Sequence, residues 1–211
     1  MYCANRSLSA YRNTPKVIKM EINELIKEIK DFLNVTFERI DLWFDKDKNL
    51  RQYTPQNNGW TIEQILEHIG LTNHFLLILI NKGTNKALAN ASKLDIEEEL
   101  KNYTFHRDKL TEVGLHQSFN WIRPIHMEPK SEKTLTEVRQ QLQEQLNICL
   151  SYLDRLKNGE GVLYKTTMSV NELGKIDVYE YIYFLAQHGQ RHITQMIKNE
   201  IEYNNNKKPN S

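Results

Sequence analysis

Apolar residues recur every three or four positions along four long stretches of this chain, and no other feature restricts its fold as tightly. Between Met20 and about Phe44 they fall at Ile22, Leu25, Ile26, Ile29, Phe32, Leu33 and Ile40. That spacing lays them on one broad helical face, which must be buried against a partner. A second stretch opens at "WTIEQ", where Thr61 can cap and Gln64 stands three residues on, a capping-box arrangement. Its stripe reads Ile65, His68, Thr72, Phe75, Leu79, and "NKGTN" is expected to end it. The third opens at Thr134 with Glu137 completing a second box, and steps through Leu135, Val138, Leu142, Leu146, Cys149, Leu153 and Leu156 to "KNGEG". The fourth opens at Asp177, with Glu180 three residues later. One of its stripes is Tyr181, Leu185, His188, His192, Gln195; a second face carries Ile182, Ile193, Met196 and Ile197. Four amphipathic helices predict an all-α fold, an antiparallel four-helix bundle with long crossover connections.

Two connections are long. Residues 82–133 are expected to hold a short helix around 95–110, and "VLYKTTMSV" within 158–176 has the character of a small hairpin. Residues 1–19 lack an apolar core segment, so they read as a flexible arm and not as a secretory signal. Residues 204–211 read as a disordered tail, leaving 20–203 as one domain. A formal net charge of +1 gives no global attraction to nucleic acid or to an anionic membrane. No apolar run approaches the roughly 18 residues of a membrane span. Small molecules remain as the expected partners. The two cysteines, Cys3 and Cys149, make no disulfide framework, which fits a reducing, cytoplasmic setting. Cys149 continues an apolar stripe and reads as a small core residue.

The histidines carry the chemistry. In "FLAQHGQRHITQ", His188 and His192 stand four residues apart on the inward stripe of the last helix. That spacing puts both imidazoles on one face, where they can converge on one cation. His68 lies on the inward stripe of the second helix. Three buried imidazoles are costly unless their nitrogens find partners, and a divalent metal is such a partner. The plainer alternative is a set of hydrogen-bonded core histidines. Three protein ligands leave open positions, the arrangement of catalytic rather than structural sites. His74 falls off the face of His68 and reads as a surface residue, while His106, His116 and His126 read as loop or site-rim residues. Tyr181 lies two turns before His188, and Arg191 points away from both ligands toward a salt bridge, a subunit contact or an anion.

At these residues a resemblance becomes visible. "GWTIEQILEHI" resembles the second-helix motif of the DinB-like (DinB/YfiT) superfamily, with Trp60 and Thr61 opening the helix and His68 following. "QHGQRHITQ" is similar to the family's last-helix motif in His188, Arg191, His192 and Gln195, and "WIRPIHMEPK" to its proline-containing link. The resemblance covers about residues 20–200. It implies a four-helix bundle, often a homodimer, whose three histidines hold zinc, nickel, iron or manganese. Relatives include thiol S-transferases that use bacillithiol or mycothiol and a maleylpyruvate isomerase; many others carry only the assignment of metal-dependent hydrolase. Gln64, Thr72, Tyr181, Arg191 and Gln195 are then expected around the metal. Position 64 often carries glutamate in the family, and Gln64 can orient a ligand but cannot take a proton. The expectation is a metal-dependent thiol S-transferase acting on small electrophiles, with a low-molecular-weight thiol as cosubstrate and a role in detoxification. The alternatives are a hydrolase using metal-activated water, or a non-catalytic stress protein that binds a metal or small molecule.

Overall fold

The structure is a computed structural model that describes residues 21–119 and 124–207. The expected arm at 1–19 and residues 208–211 of the expected tail lie outside the described residues. Four long helices form the body: α1 (Ile22–Asp41), α3 (Ile62–Asn90), α6 (Leu135–Arg155) and α7 (Val178–Lys207). Shorter ones fill the connections: α2 (Lys48–Arg51), α4 (Ile96–Lys101) and α5 (Arg107–Gly114). The strands β1 (Lys165–Met168) and β2 (Gly174–Asp177) pair as an antiparallel hairpin, Lys165 opposite Asp177 and Met168 opposite Gly174. Among the described residues no helix is long and apolar enough to cross a membrane.

Three of the long helices start by the same device. Thr61 Oγ1 accepts the Gln64 N–H at 3.2 Å while Gln64 Oε1 accepts the Thr61 N–H at 3.0 Å. Thr134 and Glu137 repeat this at the head of α6. At α7, Asp177 Oδ1 accepts the Glu180 N–H at 3.1 Å and Glu180 Oε2 accepts the Asp177 N–H at 2.9 Å. Each pair satisfies two backbone donors that a helix start leaves open.

The α3 helix does not stop at "NKGTN" but continues to Asn90. Gly83 is there for space, since a Cβ on it would come within 3.1 Å of Val178 Cγ2 at the head of α7. The stripe also drifts. His68 and Thr72 are buried, Phe75 is half-buried and Leu79 is exposed, while Leu76, Ile80, Thr84 and Ala87 turn inward. A straight helix rotates by roughly 20° per heptad against a seven-residue repeat, so a stripe read in threes and fours has turned by about 40° over the two heptads from Ile65 to Leu79. At the other end α7 runs through Lys207, four residues into the expected tail. Asn206 Nδ2 donates to the Tyr53 hydroxyl there at 2.8 Å.

Side-chain pairs fix the helix directions. Lys30 reaches Asp154 and Arg139 reaches Asp41, so α1 and α6 are antiparallel. Gln141 donates to the Gly70 carbonyl and Arg155 to Asn85, so α3 and α6 run parallel. Phe32 stacks on Tyr183 and Arg39 donates to Gln190, making α1 parallel to α7. Asn199 bonds the Trp60 carbonyl while Gly83 meets Val178, making α3 and α7 antiparallel. Each long helix thus has one parallel and one antiparallel neighbour, which is what two long crossovers produce. Among the described residues the first crossover holds two short α-helices rather than the one expected, and α5 lies along α7, so close that a Cβ on Gly114 would collide with the Gln187 side chain.

Candidate metal centre

The antiparallel pair α3 and α7 brings the three histidines together. His68 comes from α3, and His188 and His192 from one face of α7, one turn apart. They are 5%, 2% and 7% exposed. Their ligand atoms all lie within 4.8 Å of one another, and the Nε2 atoms of His188 and His192 are 3.0 Å apart. Two nitrogens bound to one ion at about 2.0–2.1 Å are held roughly 3 Å apart, so that pair already has the separation of two ligands.

Hydrogen bonds at the far side of the rings select the ligand atoms. His68 Nδ1 donates to the Met127 carbonyl at 2.7 Å, and His192 Nδ1 donates to Gln195 Oε1 at 3.0 Å. Both acceptors are carbonyl oxygens, so each Nδ1 carries the proton and each Nε2 keeps its lone pair. This is how metal-binding imidazoles are oriented in general. Thr72 Oγ1 stands 3.5 Å from His68 Nε2, and the Trp60 ring lies 4.7 Å from the His68 ring. Burial, and then the neighbouring imidazoles, hold His188 well below the usual histidine range. Burial, and then His68, push His192 down to about 3. Both rings are therefore neutral at pH 7, the form that binds a cation. The donor set fits a divalent transition metal or zinc.

Of the other expected site residues, Gln195 bonds His192 Nδ1 and Thr72 lies beside His68 Nε2. Three other expected site residues are used differently. Gln64 belongs to the cap of α3, its side-chain oxygen accepting the Thr61 N–H at 3.0 Å. The Tyr181 hydroxyl donates to the Thr167 carbonyl at 2.9 Å, tying the hairpin to α7. Arg191 donates to the Leu115 carbonyl and lies 5.6 Å from the Phe119 ring, holding the end of α5 against α7. Its charge still helps to depress His188 and His192, as does that of His116 for His192. His106 caps α5 and bonds Glu180, and His126 packs its ring 4.4 Å from that of Phe75. Sequence reasoning missed Glu67, a carboxylate only 7% exposed beside His68, and the carbonyl of Met127. The first had a signal, an acid next to an inward histidine; the second had none, because every residue carries a carbonyl.

Two surface grooves lie away from this centre. One, between α1 and α6, is lined by Phe37, Asp41, Arg139 and Leu142; the other, between α3 and α6, by His74, Ile78, Gln141 and Ile148. Neither takes in a histidine of the triad.

Fold and site together define a class: an all-α bundle with crossovers whose antiparallel pair α3 and α7 presents a three-histidine cluster suited to a metal. The sequence profile of the DinB superfamily matches residues 42–196, and the chain belongs to that superfamily. No curated protein and no solved structure gives a match.

Proposed function

We propose that this chain is a metal-dependent enzyme in which His68, His188 and His192 hold one divalent cation (zinc, nickel, iron or manganese), and that it transfers a low-molecular-weight thiol to small electrophiles. The observation that carries the metal assignment is the pair of fixed Nδ1–H bonds, to Met127 and Gln195, which leave Nε2 lone pairs inside a buried cluster. When bound, such a cation supplies positive charge that lowers the pKa of a coordinated thiol or water toward or below neutrality.

The choice of thiol over water rests on the make-up of the ligand cluster and on how Glu67 and Gln64 are used. Among the described residues the ligand cluster contains no carboxylate. Glu67 is occupied by backbone donors, and position 64 is an amide used as a cap. A thiol deprotonated by coordination needs no general base, whereas a hydrolase gains from one. His68 and His192 are held in orientation by Met127 and Gln195, and Trp60 walls the site beside His68. The near-complete burial of the triad favours a second reading, a non-catalytic protein that binds a metal or small molecule.

One experiment separates these readings. Protein loaded in turn with zinc, nickel, iron or manganese is given a panel of thiols with a chromogenic electrophile, and separately a panel of esters and amides. Thiol-dependent consumption of the electrophile, lost in His188→Ala, is expected. Thiol-independent ester cleavage would assign the hydrolase, and a loaded protein inert in both panels would assign the binding protein.

A further inference from the structure

The segment 124–131 packs against α3 and is fastened there at three points. His126 packs its ring 4.4 Å from that of Phe75, two turns beyond His68. Met127, in a 3-10 turn spanning Ile125–Met127, offers its carbonyl to His68 Nδ1 at 2.7 Å. Glu67, next to His68 on α3, accepts the Lys130 N–H on Oε1 at 3.2 Å and the Ser131 N–H on Oε2 at 2.8 Å. Ser131 has a φ of 57°, the left-handed region that serine enters at a cost. That turn brings two successive backbone N–H groups onto one carboxylate, a small anion nest built from the chain itself. Glu67 is buried, so both bonds are largely shielded from water.

The geometry points to Glu67 as a positioning residue for the metal centre. Its clamp on Lys130 and Ser131 holds the 124–131 strap so that the Met127 carbonyl faces His68 Nδ1, and this carbonyl sets the tautomer and ring orientation of His68. Glu67 touches no ligand atom; it acts through the backbone of the strap. The Met127 carbonyl belongs to the backbone, so it is secured by anchoring the chain three residues further on. The inference rests on the metal-centre reading for its consequence, a tighter metal site, but not for its geometry.

The test uses the full chain with Glu67→Ala and Glu67→Gln. In metal-free protein, long-range nitrogen–proton spectra of the histidine rings report the tautomer of His68. Zinc affinity is measured by competition with a chromophoric chelator, and thermal midpoints are recorded alongside. The wild type should show a single Nδ1–H form at His68. In Glu67→Ala that ring should become a mixture of tautomers and zinc affinity should fall about 10–100-fold, the usual effect of losing a partner behind a ligand. Glu67→Gln keeps one acceptor oxygen and should fall in between. A lower melting temperature with unchanged tautomer and unchanged affinity would make Glu67 merely structural and overturn the inference. If Glu67→Ala does not fold, the same readouts on Glu67→Gln decide, and no change in either sinks the idea. Wild-type protein that binds none of zinc, nickel, iron and manganese would refute the metal centre instead, and the tautomer spectra would still judge the clamp.

Discussion

Position 64 shows how one side chain can be claimed by two jobs. It lies one turn before His68, where an acid could serve the metal, yet its oxygen closes the cap of α3 at 3.0 Å from the Thr61 N–H. Gln64→Glu should therefore keep the cap and leave metal affinity within about twofold, a small effect on the scale of RT. A large change, read by chelator competition, would place residue 64 in the site after all. Asp177 offers a second prediction at this scale. It is wholly buried, and burial, reinforced by Glu180, pushes its carboxyl up to about 7. A carboxyl raised from 3.8 favours the folded state most below the unfolded value, and that advantage is lost as pH rises through the folded one. Asparagine caps as well as aspartate. Asp177→Asn should thus flatten the fall in stability between about pH 4 and 7, the window set by those two values, as urea midpoints at either end will show. Parallel profiles would contradict it. The triad itself was legible in the sequence because His68, His188 and His192 share their stripes with apolar residues such as Ile65, Phe75 and Leu185. Tyr181 lies on such a stripe too, and periodicity could not tell a hydroxyl facing the metal from one facing Thr167.

At the scale of elements, the capping residues fixed where helices begin, and did so for a local reason. The bonds that join Thr61 to Gln64, Thr134 to Glu137 and Asp177 to Glu180 each lie within the first turn of one helix. Helix ends were harder to read. Glycine at position 83 satisfies a packing demand from Val178, a residue 95 positions away, and no local pattern carries that. The short helices of the crossover were blurred for a related reason: α4 has no buried residue of its own and α5 has three. The caps are also unequal in weight. Glu137 is exposed, whereas Glu180 is buried and accepts three hydrogen bonds, from the Asp177 N–H, the His106 N–H and His106 Nδ1. Thr134→Ala should cost about 1 kcal/mol, as an ordinary cap does. Glu180→Ala strands buried donors and loosens the α5 connection, for roughly 3 kcal/mol. Chemical denaturation of both variants checks the ranking, and equal losses would mean that the Glu180 network adds nothing to its cap.

At the scale of the whole molecule, the site depends on which helices become neighbours. Four amphipathic stripes predict a bundle but leave the pairing open; the long connections allow α3 and α6 to run parallel and leave α7 antiparallel to α3. Only that pairing sets His68 against His188 and His192 across the bundle, so the centre belongs to the fold and to no single motif. Two helices joined through one ion would also be held together by it, which couples metal binding to folding. The most direct test of this account is the metal content of the purified, untagged chain beside its His188→Ala variant, after reconstitution with zinc, nickel, iron or manganese and removal of loose ions. The account predicts about one equivalent of a single metal in the wild type, as three converging imidazoles require, and none in the variant. No metal in either, or equal metal in both, would contradict it and leave His68, His188 and His192 as core residues that satisfy one another.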